Sequence, residues 1–575
     1  MKRFSTVWMC IALAVAAGLF AVPLAAQEDA APDVFGEVID VRVVNVEAVV
    51  VDKDGVRVNG LQPEDFRLIV DGEEVPIGYF AEVRGGEAVA AARPTEGGEA
   101  VPAIPATVPG ESVGTSYLVF IDDYFSLERD RDKVLDGLIA DLPSLGPNDR
   151  MAIVAFDGKR VEMLSSWNQN VPTLERAFRA AQERKAGGLQ RLAERRGQEI
   201  PLAGLRSSRP EIGGLTATDL RVEERGYARQ LSNQVDRSVS AAVATLRGFA
   251  QPPGRKVMLL LSGGWPYSPE AFVVNDPTRP LTTSDTTQGP ELLAPLTDTA
   301  NLLGFTVYPV DVPGLGDASS ADVSEGGQLL TVRSGRVLRQ QPSDLDIDSS
   351  LINSVEREQV VQASLHRIAD ATGGRALINS QKIDALAETV ADTRSYYWLG
   401  FSPDRQRDDV RHDIRVEVKR KGYKVRSRGG FLDLSRQAET EMAVESALLF
   451  DDPAALGPLR VVVGEMTIAG RKYVEVPLRI AIPVDGITAV PFDGSYVAKL
   501  ELRVAALDDS NRQSDIPAVP IELKLRNEPR SGTAVPYDAR LKLRRQKQVL
   551  VVSLHDAVSG RNLSTRVEVD PRSAR

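Results

Sequence analysis

The five consecutive apolar residues Tyr117 to Ile121, set in the run Ser116-Tyr-Leu-Val-Phe-Ile-Asp-Asp-Tyr-Phe-Ser126, constrain this chain more than any other stretch. The run is too short for a membrane span and too continuous for a half-exposed strand, so it reads as a strand buried on both faces of a parallel sheet. Acidic and hydroxyl residues arrive where that strand should end. In an open α/β sheet, ligands bind in the crevice outside the carboxyl ends of the strands, which puts Asp122, Asp123 and Ser126 where a site is expected.

The same pattern recurs downstream. Buried strands are predicted at Met151–Phe156, Val161–Leu164, Lys256–Leu261 and Thr306–Val310, alternating with helices through Lys133–Ala140, from Thr173, over Asp219–Phe249, near Pro290–Leu303 and over Gln359–Thr372. Strand, helix, strand, helix with short apolar strands predicts an α/β fold with a doubly wound, mostly parallel sheet over residues 116–392. Glu and Arg are interspersed over 175–215, which reads as a solvated helical insertion. Residues 313–356 form a long polar loop beside the candidate site. Residues 34–83 read as an N-terminal β module with a turn at Asp52-Lys-Asp-Gly55. An Ala/Gly/Pro-rich linker over 84–115 delivers the chain to the opening strand. Strand character returns over 395–432, which is expected to pair with 34–83 in one module, and short strands at regular spacing over 437–575 predict a β-sandwich.

Lys2 and Arg3, the apolar run Val7 to Phe20 and the small residues before Gln27 read as a secretory signal peptide over 1–26, so the expected location is secreted, periplasmic or associated with the cell envelope. The single cysteine, Cys10, falls inside that run. Thiol and Cys-metal chemistry and disulfides are thereby excluded from the rest of the chain, whose stability must come from core burial. A net charge of −11 argues against nucleic acid or anionic lipid as a partner. No later stretch is apolar for long enough to span a membrane.

Several segments, in order, carry a resemblance. They are Val50-Val-Asp-Lys-Asp-Gly-Val-Arg-Val, Leu61-Gln-Pro-Glu-Asp-Phe with Asp71-Gly72, Pro253-Gly-Arg-Lys followed by Ser262-Gly-Gly-Trp-Pro, and Tyr396-Tyr-Trp-Leu-Gly-Phe-Ser-Pro with Lys421-Gly-Tyr-Lys-Val-Arg. Together they resemble the bacterial VWFA-related proteins described from acidobacteria, and the elements from Ser116 to about Asp392 resemble a von Willebrand factor type A domain. The resemblance implies a site in which Asp-x-Ser-x-Ser, with a Thr and an Asp from later loops, holds Mg²⁺ for a partner's carboxylate. Asp122 and Ser126 keep that frame as metal candidates, with Thr216 or Thr218 as the later Thr. Tyr124 stands in the place of the middle Ser, and Ser262-Gly263-Gly264 replaces the usual Asp-Gly. A phenol is too long to ligate from a position built for a hydroxymethyl group, and Mg²⁺ needs its outer shell to orient water. The expectation is therefore no bound cofactor, with Mg²⁺ as the alternative. Without an ion, Asp122 and Asp123 would cap a helix or bind loop amides. Asp344-Leu-Asp-Ile-Asp348 begins like a calcium loop but has Ser349 at the sharp-turn Gly and Val355 at the bidentate acid.

Enzymatic chemistry finds little support in the residues. His366, His412 and His555 belong to separate regions, and Gly213-Gly214 and Gly263-Gly264 lack the Lys-Ser/Thr of a phosphate loop. Trp265 and Tyr267, just past a strand end, suit a protein anchor. The expectation is a non-enzymatic interaction or adhesion-type protein that presents Asp122, Asp123, Ser126, Ser262, Trp265 and Tyr267 to a protein partner. Two alternatives remain. One is a strictly Mg²⁺-dependent adhesion domain. The other is an enzyme or accessory factor of envelope protein maturation using Asp122 and Asp123 as paired carboxylates, although neighbours on a strand point to opposite faces.

Overall fold

The computed structural model describes residues 44–89, 110, 112–194, 217–250, 254–269, 289–312, 329–333, 336–340, 359–378, 384–403, 409–435 and, with gaps, 437–573. The expected signal peptide, most of the linker and the Asp344–Asp348 stretch lie outside these residues. The chain divides into two compact units, one over 41–433 and one built from the described part of 434–575. No helix among the described residues is long and apolar enough to cross a membrane.

The first unit opens with β1 (Val44–Val51), β2 (Phe66–Val70), β3 (Glu73–Val75), β4 (Tyr79–Arg84) and β5 (Glu87–Ala88). After β1 the Asp52 carboxylate accepts from the amides of Asp54 and Val56, at 2.9 Å each, and Gly55 takes the positive φ of 81° that the turn requires.

The central sheet comprises β6 (Thr115–Asp122), β7 (Arg150–Phe156), β8 (Val161–Asn168), β9 (Arg255–Ser262) and β10 (Phe305–Asp311) in the order β10-β9-β6-β7-β8. The first four strands of that order run parallel, and β8 is an antiparallel edge. Every residue of β6 is buried, as a continuous apolar run in the middle of such a sheet demands. The helices are α1 (Glu128–Asp141), α2 (Val171–Gln182), α3 (Ala217–Gly248), α4 (Pro290–Leu303), α5 (359–372) and α6 (Ala385–Thr393). Helices α1, α2 and α6 share one core with Tyr117, Val119 and Ile121. Helix α3 touches β6 and β7, and α4 touches β10 and packs on α3. Within the region expected to be one long loop, β11 (Leu329–Arg333) and β12 (Arg336–Gln340) pair as a hairpin.

The chain then returns to β structure with β13 (Tyr396–Phe401), β14 (Arg411–Val418), β15 (Lys424–Arg426) and β16 (Gly430–Leu432). These complete the sheets begun before the α/β region. Strand β1 pairs antiparallel with β13 and β15, β4 with β13, and β2 with β14. The two resulting sheets, β15-β1-β13-β4-β5 and β16-β14-β2-β3, enclose Val46, Phe66, Leu68, Leu399, Phe401 and Phe431. Asp392, the penultimate residue of α6, ties the pieces: it accepts from Tyr308 Oη at 2.6 Å, from Arg426 Nη2 at 2.8 Å and from Arg57.

The second unit is a two-sheet sandwich. Tyr473–Pro483 pairs along its length with Ala534–Arg544, and in the other sheet Ser495–Asp508 lies between Ala518–Leu525 and Gln548–Asp556. Alternate residues Val474, Val476, Leu478 and Ile480 meet Leu500, Leu502, Leu550 and Val552 in its core.

Candidate functional site

Asp122 is the last residue of β6, and Ser262 the last of the adjacent parallel strand β9, so both emerge at the same edge of the sheet. Asp122 Oδ2 accepts from Ser262 Oγ at 2.9 Å and from Trp265 Nε1 at 2.7 Å, while Oδ1 accepts from the Tyr124 amide at 3.2 Å. Burial pushes the Asp122 carboxyl up to about 6, with the Trp265 and Ser262 hydrogen bonds opposing the shift. Ser126 turns the other way, its Oγ donating to the Asp122 carbonyl at 2.7 Å. The loop that carries Trp265 is anchored to α5: the Trp265 amide donates to Ser364 Oγ at 3.1 Å, and Ser364 Oγ donates to the Val361 carbonyl at 2.6 Å. Gly264 makes this approach possible. It has φ +76°, and a Cβ there would stand 2.1 Å from Val361 Cγ1.

Asp123 faces different partners. Its carboxylate receives Arg131 Nη1 and Arg184 Nε, each at 2.8 Å, and Arg131 also donates from Nη2 to the carbonyl of Arg184 at 2.9 Å. The Tyr124 hydroxyl accepts from Arg191 Nη1 at 2.8 Å and Arg237 Nη2 at 2.9 Å, and both guanidinium carbons also stand near its ring, at 4.6 and 5.2 Å from the centroid.

These arginines bring the start of the insertion onto the β6 loop. The Gly187 amide donates to the Asp123 carbonyl at 2.7 Å and the Gly188 amide to the Ser126 carbonyl at 3.0 Å. A Cβ on Gly188 would stand 2.5 Å from the Ser126 oxygen. Helical residues 188–194 follow, with Arg191 and Leu192 buried. Glu194 pairs with Arg191 at 2.8 Å and accepts from Gln234 of α3 at 3.0 Å. The reading of this insertion as solvated therefore fails for Arg184 and Arg191, which spend their charge on buried Asp123 and Tyr124. Residues 195–215 lie outside the described set.

The side chains expected to form an exposed face are interior. Asp122, Asp123, Ser126 and Ser262 are 0% exposed, Trp265 1% and Tyr267 8%. The physical reason is that polar termini of β6 and β9 find their hydrogen-bond partners within the protein, and residues 184–194 close over them. Tyr267 lies beneath Arg367, whose guanidinium carbon is 5.6 Å from the ring centroid, and its carbonyl accepts from Gly289. Asp122 and Asp123 neither share a proton site nor cap a helix: Asp122 holds a loop amide, an indole and a hydroxyl, and Asp123 holds two guanidiniums.

The donor set also does not fit Mg²⁺. An ion at Asp122 Oδ2 would have to displace the Trp265 indole and the Ser262 hydroxyl, Ser126 Oγ is committed to a backbone carbonyl, and the phenol of Tyr124 points to two cations. Thr216 lies outside the described residues, and the side chain of Thr218, within α3, is likewise undescribed. Among the described residues no group of His, Cys, Asp and Glu is placed to hold a metal ion. The histidines stay apart, with His412 on Asp71, His555 on Asn562 and His366 on an exposed turn of α5.

Sequence reasoning passed over Arg131, Arg184, Arg191 and Arg237. A signal existed for one of them: Arg131 shares the buried face of α1 with Val134, Leu135 and Leu138, so an arginine occupies a core-facing position of an amphipathic helix.

No family model matches the chain, and no curated protein does. Solved structures similar to it include a von Willebrand factor type A protein from Catenulispora acidiphila, at 12% identity over 90% of this chain and 75% of that one, with a TM-score of 0.20. Another is the three N-terminal domains of the type V pili tip protein Mfa5 from Porphyromonas gingivalis, at 9% identity over 92% and 76%, with a TM-score of 0.22. A Bacteroides uniformis beta-glucuronidase is matched over 31% of this chain but 19% of its own length, at 10% identity and a TM-score of 0.14. Likenesses at these scores assign neither fold nor activity, which rest on the geometry described above.

Proposed function

We propose that this chain is a secreted or envelope-associated, non-enzymatic interaction protein built on a doubly wound, von Willebrand A-like domain whose ion-dependent contact has been replaced by a protein lock. The observation that carries this reading is the Trp265 indole at 2.7 Å from Asp122 Oδ2, which with the Ser262 hydroxyl occupies the oxygen an ion would need. Ser262 in place of an acid, and Tyr124 in place of a hydroxymethyl side chain, act in the same direction. The surface offered to a partner is then the outer side of residues 183–194 above the buried carboxylates, where Lys185, Leu189 and Gln190 are exposed. The separate partners of Asp122 and Asp123 weigh against a paired-carboxylate enzyme.

Calorimetric titration of the full chain with Mg²⁺ and Mn²⁺ tests the lock. The expected outcome is no saturable heat and no rise in melting temperature. A binding heat that Asp122→Ala abolishes would refute it. Pull-down from an envelope fraction should recover the same partner with and without EDTA, unprocessed, and recovery should fall when Leu189 is changed to Asp.

A further inference from the structure

In the second unit, one face of the sheet built on Ser495–Asp508 carries a row of polar atoms without partners. Arg503 lies opposite Ser553 on the neighbouring strand, and Ser553 lies opposite Ser564 on the next. Directly opposed residues leave a sheet on the same side, so the three side chains form one line across three strands. They are 1%, 1% and 2% exposed. This is the face away from the sandwich core, since the core takes the alternate residues Leu500, Leu502, Val552 and Leu554. One row along, Ala505 and Val551 are covered by Val444 and Leu448.

Glu501, on the same strand and face, accepts from Arg503 Nη1 at 3.0 Å, which occupies one end of the guanidinium. The opposite edge, Nε–H with Nη2–H, has no hydrogen-bond partner, and neither has the hydroxyl of Ser553 or of Ser564. That edge is the one from which a guanidinium presents two parallel N–H groups, a fork matched in spacing by two oxygens of a carboxylate or phosphate. Buried polar groups are nearly always paired, and four unpaired donors aligned in one row mark a place where the protein supplies half of a hydrogen-bonded set.

We propose that Arg503, Ser553 and Ser564 form a binding site for a small oxyanion. Two oxygens of a carboxylate or phosphate group take the Nε–H and Nη2–H pair, and the two hydroxyls donate to its remaining lone pairs. Glu501 holds the guanidinium in place from the far end and lies away from the fork.

Calorimetric titration of the full chain with inorganic phosphate, and separately with acetate, at an ionic strength held constant with sodium chloride, tests this. The expected result is saturable binding of at least one of the two, and the tighter one names the chemistry. Arg503→Lys keeps the charge but loses the fork, and should weaken binding at least tenfold. Ser564→Ala removes one donor without disturbing the Arg503–Glu501 pair, should weaken binding severalfold, and carries the test if Arg503→Lys fails to fold. No saturable heat with either anion, or equal binding by wild type and Ser564→Ala, would mean that the row is hydrated by buried water alone and would overturn the proposal.

Discussion

A single carboxylate, Asp122, illustrates how much depends on what donates to it. Three donors satisfy it, yet complete burial still lifts its pKa to about 6, above the ordinary aspartate value of 3.8. The folded protein therefore holds this proton at pH values where the unfolded chain has released it. Stability contributed by the protonated form is fully present below the unfolded value and is lost as pH rises through the folded one. Relative to Asp122→Asn, which does not titrate, the wild type should lose up to about 3 kcal/mol between pH 3.8 and 6 and then run parallel. Urea midpoints of both proteins across pH 3.5–8 measure this, and a constant difference over that range would contradict it. The sequence grouped Ser262 and Trp265 with Asp122 on one face, but not as donors to its carboxylate. Trp265 lies 143 positions from Asp122, and what aligns its indole is a loop held by Gly264 against α5. Residue types named Asp122 as a place of interest, and only the fold decides whether a hydroxyl, an ion or an indole meets it.

At the level of elements, the strand β6 was legible because a continuous buried run has one reading in a parallel sheet, and α4 matched its predicted bounds because Pro and Gly bracket it. The insertion was not legible. Interspersed Arg and Glu look alike whether they face water or meet buried acceptors, and Arg184 and Arg191 do the second. The clasp is specific: Asp123 and Arg131 are both fully buried, and Arg184 is 16% exposed. Asp123→Asn would remove the buried acid shared by those guanidiniums and leave Arg131 only Asp132 and Arg184 only Glu162, at a cost of about 2–3 kcal/mol. We expect a correspondingly lower denaturation midpoint and new protease cleavage after Arg184 or Lys185. Loss of stability without new cleavage there would place the clasp elsewhere.

For the whole first unit, the pairing of residues on either side of the α/β region rests on contacts between strands about 350 positions apart, and such contacts leave no local pattern beyond the alternation of each strand. Asp392 concentrates that closure in one side chain. Burial raises its carboxyl, but Arg426 and Arg57 outweigh this and hold it below the ordinary value. Its contribution is thus present above the normal aspartate range and is lost as pH falls through the lowered value. Asp392→Asn should cost about 2–3 kcal/mol, less than a fully buried pair because both arginines are about a quarter exposed. The loss should shrink towards acid pH, as read by denaturant midpoints, and a loss that grows there would contradict the assignment.

Because β13 pairs with both β1 and β4, the β module has a mechanical consequence. Tension entering at Val44 and leaving at Leu432 meets the antiparallel β1–β15 and β14–β16 ladders before the α/β region. The central sheet, with Asp122 at its edge, is inserted in the chain between β5 and β13. The module acts as a shackle: until its β1–β15 ladder parts, a pull on the chain does not draw out the segment inserted between β5 and β13.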